Sequence, residues 1–247
     1  MPVRNFDRTG LIVLAFACAL HMPYVFAANP PVAIMDVIAK PDQDKVYLLS
    51  SQFDSTRFLA PPPDAEATQR EIEAMLVLQK NRTPQQVLQT VSDLRQSVLM
   101  FADVMGPQFT RANLPATIKL FDKLYKTQRP INRQGKEKWK RVRPPLADDR
   151  LTPSTLYKSH SYPSGHATYA YLAGIVLADL MPNKREQIYD RAYAFGENRV
   201  IGGVHYPSDV EAGRQLASMI AVLIQRNPDF QRDVAASRAE LQALYKQ

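Results

Sequence analysis

The sequence predicts an all-α fold, a compact single-domain helical bundle. Apolar residues recur every three or four positions through most of the chain beyond residue 64, the spacing of one helix face. Helix-start pairs recur too, as at Thr83-Pro84 and Asn227-Pro228. No stretch alternates in the strand manner, and the 247 residues include only nine glycines.

Residues 1–27 read as a secretory signal peptide. Arg4 and Arg8 open it, Leu11 to Leu20 is an apolar run too short to span a bilayer, and Val25-Phe26-Ala27 leads to cleavage after Ala27 or Ala28. Cys18, the only cysteine, lies within it, so the chain beyond has no thiol for a disulfide or a thiolate metal site. That suits an oxidising compartment, and a periplasmic or secreted bacterial protein is expected.

Residues 28–63 are expected to form an extended arm. It includes the packing segment Val46 to Leu49, and Leu59-Ala60-Pro61-Pro62-Pro63 must run as polyproline II. Residues 64–247 are the helical domain. Its first helix spans Ala65 to Lys80. Thr83-Pro84 starts a second, with Val87, Val91, Leu94, Val98, Phe101 and Met105 on one face and Gly106-Pro107 as its stop. Asn113 precedes a third, bearing Leu114, Ile118, Phe121 and Tyr125. The next runs from about His166 to Leu180. Asn183 and Glu186 form a capping-box-like start to another, which ends at Gly202-Gly203. Ser208 caps a helix through Ile224, and Asn227-Pro228 opens the last.

Composition sets the outer limits. A hydrophobic content of 45% supports one sizeable core. Beyond the signal segment, the longest apolar runs, Leu216 to Ile224 and Ala170 to Met181, have core-helix lengths, so no membrane embedding is expected. The net charge is +7. Arg4, Arg8 and Asp7 contribute +1 of this and leave +6 for the rest. A basic balance favours anionic partners without separating a phosphate ester from nucleic acid.

Three stretches carry chemistry. In KEKWKRVRP, Lys136 and Arg143 stand seven apart and share a face if the segment is helical, with Lys140 between them and Pro144 ending the helix. Taken alone, this stretch reads equally as a solvated basic face. Arg143 stands out over Lys138 and Arg141, because a bidentate guanidinium suits phosphate oxygens better than a point charge does. In SYPSGH, Ser164 caps a helix, Gly165 lets an anion approach the backbone, and His166 begins the apolar run, so free N–H groups and a positive dipole end meet there. In RVIGGVHYPSD, Arg199 ends one helix, His205 falls in a glycine-broken loop, and Asp209 follows four residues later, where it can accept Nδ1–H and leave Nε2 a lone pair. Asp209 also reads as an ordinary N-terminal helix charge. His160 reads as a loop histidine.

In order, K-x6-R-P, P-S-G-H and R-x5-H-x3-D resemble the signature of the type 2 phosphatidic acid phosphatase superfamily, which includes the vanadium haloperoxidases and the bacterial class A non-specific acid phosphatases. The signal-like start, LAPPP, SYPSGH and HYPSDVEAGR are most similar to the class A enzymes. The resemblance implies a metal-independent acid phosphatase with no cofactor, whose substrate is a small phosphate ester rather than nucleic acid. It implies His205 as nucleophile oriented by Asp209, and His166 as general acid and base. Lys136, Arg143, Arg199, Ser164 and Gly165 are then the phosphate ligands. Relatives form dimers or larger homo-oligomers. One departure stands out: the third motif usually opens Ser-Arg, and here it is Asn198-Arg199.

Overall fold

The computed structural model describes residues 46–246; residues 1–27, expected to be a signal peptide, and the first part of the expected arm lie outside the described residues. Ten α-helices and two short 3-10 turns make up the described secondary structure, with no strand among the described residues. The expected all-α bundle is what the chain forms.

The arm packs through Tyr47. Its backbone N–H donates to Thr127 Oγ1 at 2.9 Å, and its hydroxyl donates to Asp233 Oδ2 at 2.8 Å. The arm is not extended throughout, because Ser55–Phe58 forms one helical turn, α1, capped by Asp54. Helix α2 spans Ala65–Asn81, with Asp64 as its cap.

The long second helix expected after Thr83 is broken. Helix α3 covers only Pro84–Ser92, closed at its start by a Thr83/Gln86 capping box. A 3-10 turn, Val98–Phe101, and the short helix α4, Ala102–Met105, follow. Local apolar periodicity does not carry the helix past Asp93, which ends α3 in an ion pair with Arg191 from elsewhere in the chain.

Helix α5 runs Pro115–Trp139 and stops one residue before Lys140, which adopts a left-handed conformation at φ 46°. Residues 141–143 are therefore not helical, and Lys136 and Arg143 do not share a helix face. Pro144 does not end a helix but opens the short α6, Pro144–Ala147, where its missing N–H costs nothing.

Helix α7, Gly165–Leu180, is the centre of the bundle. It is apolar all round, as a helix surrounded by protein must be. Helices α8, Arg185–Ile201, and α9, Pro207–Ile224, lie against it. Gly174 permits the first approach, since a Cβ there would sit 2.9 Å from Ala192 Cβ. Gly213 permits the second, since a Cβ there would sit 2.7 Å from the Ser164 carbonyl oxygen. Helix α8 begins after a 3-10 turn at Pro182–Lys184 rather than in an Asn183/Glu186 capping box. Tyr206, not Ser208, is the N-cap of α9. Helix α10, Pro228–Tyr245, starts at Asn227 as expected and packs on α5.

Phe101, Phe121, Leu124, Leu172, Leu177, Leu216 and Ile220 are fully buried in the main core. Each such side chain contributes roughly 1.5–3 kcal/mol of burial. A second apolar cluster joins Ile72 and Met75 of α2 to Ala167, Val200, Tyr206 and Val210, and so seats α2 beneath the ends of α7, α8 and α9 that carry the motif residues.

Candidate active site

His205 lies in the loop between α8 and α9. Gly203 turns that loop at φ 69°, a conformation that favours glycine. The N–H groups of Val204 and His205 both donate to the Arg199 carbonyl, at 3.0 and 3.3 Å. Asp209 sits in the first turn of α9, where its Oδ2 accepts the Tyr206 N–H at 3.0 Å. The same oxygen lies 3.1 Å from His205 Nδ1. On the other side of the ring, Nε2 is 3.2 Å from Arg143 Nη1. A guanidinium only donates, so Nε2 is the acceptor and Nδ1 carries the proton.

Two further side chains donate to Asp209 and hold it in place. The Ser161 hydroxyl donates to Oδ2. Arg141 Nη1 donates to Oδ1 at 2.7 Å and to Ser208 Oγ at 2.7 Å, while its Nη2 reaches Glu71 Oε2 at 2.7 Å. Glu71 in turn accepts the Ser208 N–H at 2.7 Å and its hydroxyl at 2.9 Å. Burial opposes ionisation of Asp209, yet the His205 hydrogen bond, the Arg141 charge and the Ser161 hydroxyl bring its pKa down to about 2. His205 is pushed down to about 3, by burial first and then by Arg143, with Asp209 opposing. The pair is thus a neutral imidazole on a carboxylate.

The cations approach from three elements. Arg143 is buried and strapped by backbone: Nε donates to the Ser159 carbonyl at 2.7 Å, and Nη1 to the Val204 carbonyl at 2.8 Å. Its guanidinium lies 4.4 Å over the Tyr157 ring. Lys136 Nζ donates to the carbonyls of His160 and Ser161, at 2.7 and 3.1 Å, and ties the end of α5 to the loop before Ser164. Arg199 is fully buried on α8. Its Nη2 donates to the Thr90 carbonyl at 2.7 Å, whereas Nε and Nη1 have no hydrogen-bond acceptor among the described residues. A buried guanidinium with two unfilled N–H positions is costly unless an anion fills them.

The start of α7 completes the cluster. Ser164 Oγ accepts the Ala167 N–H at 3.3 Å, and the Ser164 N–H donates to the Asp209 carbonyl at 2.9 Å, which locks this cap to α9. Gly165 and His166 are the first two helical residues, where N–H groups lack intrahelical partners and the dipole is positive. A Cβ on Gly165 would stand 3.4 Å from Asn132 Oδ1. His166 is packed between Phe195, ring centroids 6.2 Å apart, and the edge of Tyr157, at 5.8 Å. Its Nε2 is 3.0 Å from the Leu94 carbonyl; a carbonyl only accepts, so Nε2 bears the proton and Nδ1 the lone pair. Burial, then the nearby charge of Arg199, holds the imidazole well below its ordinary pKa.

The folded chain therefore brings His205, Asp209, Arg143 and Ser164 into a contiguous hydrogen-bonded group. Lys136 joins it through the 160–161 carbonyls, and His166 and Arg199 through Tyr157 and Phe195. Lys138 and Lys140 are exposed, and Asn198 faces Asp93 at 2.7 Å. His160 is a loop residue whose carbonyl, not its ring, contacts Lys136. Sequence reasoning passed over Arg141, Ser161, Tyr157 and Glu71.

Comparison with known proteins follows the same lines. The model of the PAP2 superfamily matches residues 126–232, a span that contains all three motif stretches. A non-specific acid phosphatase of Providencia stuartii is 31% identical over 249 residues, covering 96% of this chain and 99% of that protein. A non-specific acid phosphatase of Salmonella typhi is 29% identical, covering 89% and 90%. Among solved structures, a transmembrane PAP2 type phosphatidylglycerolphosphate phosphatase from Bacillus subtilis is 21% identical, with a TM-score of 0.47 over 66% of this chain and 86% of that one. In the described part of the present chain, no helix is long and apolar enough to cross a membrane.

Proposed function

The chain belongs to the PAP2 superfamily as a phosphoric monoester hydrolase, and we propose that it cleaves phosphate monoesters in two steps through a phosphohistidine on Nε2 of His205. When the phosphate binds, His166 takes up a proton at Nδ1; in the first step the Nε2 lone pair of His205 attacks phosphorus, the P–O bond to the leaving group breaks, and the His166 imidazolium gives that oxygen its Nδ1 proton. In the second, neutral His166 takes a proton from water, the hydroxide attacks phosphorus, and the P–N bond returns its electrons to His205. Asp209 stabilises the charge that His205 acquires.

One observation carries this reading. His205 is held between an acceptor on Nδ1 and a donor on Nε2, so its nucleophilic lone pair lies beside a cation suited to a phosphoryl oxygen. Arg199 supports it with two N–H positions open to an anion, and Lys136, Ser164 and Gly165 with further donors around the same group. The three cations fill the charge-neutralising role that a metal plays elsewhere and would repel one, which favours a metal-independent reaction. Residues 1–27 are read as a signal peptide, 28–63 as an arm, 64–247 as the catalytic domain, and the enzyme as periplasmic or secreted. Its substrate is a small phosphate ester.

A panel of aryl, alkyl, sugar and nucleotide phosphates assayed with and without chelator tests the proposal. Hydrolysis that is unaffected by chelator and inhibited by vanadate, a mimic of five-coordinate phosphorus, is expected. Loss of activity on chelation, restored by a divalent metal, would overturn the metal-independent mechanism.

A further inference from the structure

The last carbonyls of a helix have no intrahelical donors. At the end of α3, two carbonyls of one short segment are turned to the site. That of Thr90 accepts Arg199 Nη2 at 2.7 Å, and that of Leu94 accepts His166 Nε2 at 3.0 Å. Between them sits Asp93, 2% exposed. Every approach to its carboxylate is taken. Oδ1 accepts Arg191 Nη2 at 2.6 Å and Gln89 Nε2 at 3.1 Å, and Oδ2 accepts Arg191 Nη1 at 3.1 Å and Asn198 Nδ2 at 2.7 Å. Arg191 and Asn198 belong to α8, the helix that carries Arg199. The apolar pattern of residues 87–105 would continue the helix past Asp93; the ion pair ends it there and presents the two carbonyls.

We propose that Asp93, gripped by Arg191 and Asn198, is a positioning residue for phosphate-ester hydrolysis: it fixes the carbonyls of Thr90 and Leu94, and through them the tautomer of His166 and the plane of Arg199. This rests on the reading of His166 as the leaving-group acid. With Nε2 committed to Leu94, the mobile proton of the imidazolium is on Nδ1. Once the carbonyl shifts, the ring is free to rotate or change tautomer, and the proton is no longer delivered to the leaving oxygen. Asn198, which stands where the superfamily resemblance leads one to expect Ser, thereby acquires a role: its amide completes the Asp93 carboxylate rather than contacting phosphate.

The test compares wild type with Asp93→Asn, Asn198→Ala and His166→Ala on one aryl and one alkyl phosphate, with Tm recorded for each. An aryl oxide leaves without help, whereas an alkoxide needs the acid. His166→Ala should lose about 100-fold more activity on the alkyl ester than on the aryl ester. Asp93→Asn should lose in the same direction, by roughly tenfold more on the alkyl ester, and Asn198→Ala by a smaller factor of the same sign. A purely structural role would lower both activities by one factor that follows Tm. That result in Asp93→Asn and Asn198→Ala, with the His166→Ala preference intact, overturns the positioning role and leaves the acid role standing. A His166→Ala variant without any preference overturns the acid role, and the positioning role with it. Should Asp93→Asn fail to fold, Asn198→Ala decides by the same criterion.

Discussion

Arg141 bridges Asp209 and Glu71, with 2.7 Å to each carboxylate. The aspartate that orients His205 is thereby tied to α2, and the guanidinium also lies 3.9 Å over the Tyr206 ring. One buried cation thus joins the segment after α5, the start of α9 and the helix beneath them.

Removing that cation leaves two carboxylates without the one charge they share. Arg141→Met should cost about 3–5 kcal/mol of stability, read from urea unfolding, and lower kcat because Asp209 loses the donor on Oδ1. Arg141→Lys keeps the charge but not the fork and should fall between the two. Wild-type stability in Arg141→Met would show that the bridge contributes nothing.

His205→Ala should abolish phosphomonoesterase activity, a loss of about 5 kcal/mol or more of barrier, while the protein remains folded. Asp209→Asn should also lose orders of magnitude, since the amide fixes the wrong tautomer. Steady-state assays on a p-nitrophenyl ester check both, and near-normal turnover in His205→Ala would remove it as nucleophile.

Acid should destabilise the empty enzyme through this site. His205 titrates at about 3 when folded against an ordinary 6.5, and Asp209 at about 2 against 3.8. Both values are depressed, so the unfolded chain binds more protons at low pH. The stability is fully present above the ordinary values and is lost as pH falls, from 6.5 toward 3 for His205 and from 3.8 toward 2 for Asp209. Tm should drop on acidification, and His205→Gln should flatten the drop between about pH 7 and about pH 4. An unchanged slope would contradict the assignment.

A bound phosphate reverses the local charge. Burial and the charge of Arg199 hold His166 deprotonated in the empty site, and an anion against Arg199 restores its affinity for a proton. Phosphate or vanadate binding should therefore take up as much as about one proton, measured by calorimetry in buffers of different ionisation enthalpy. Proton release would count against the arrangement.

Gly213→Ala tests the packing that sets the site. The added Cβ would meet the Ser164 carbonyl oxygen at 2.7 Å and Ala167 Cβ at 2.9 Å. It should cost roughly 1–3 kcal/mol and reduce kcat, because the start of α7 must move off α9. Thermal melts and turnover, measured together, check it.

The helical architecture was legible from apolar spacing and from start signals such as Ser164 and Asn227, which depend on neighbours in sequence. The three motifs were legible because spacing alone relates His205 to Asp209 and Ser164 to His166. What escaped depends on distant partners. Nothing near Asp93 announces that Arg191 and Asn198 will stop α3 there. Nothing in the basic run distinguishes the exposed Lys138 from the buried Arg141 until Lys140 turns left-handed and the chain extends. Ser161 and Tyr157 lie in a loop with no periodicity to assign them a face.

The most direct measurement is a rapid-quench trap of the covalent intermediate. The enzyme is mixed with a phosphoryl-labelled aryl ester, quenched in alkali to preserve phosphoramidates, digested and mapped by mass spectrometry. The mechanism requires label on the ring of His205, attached at Nε2, with none in His205→Ala. Turnover without labelled protein, or label on any other residue, would contradict it.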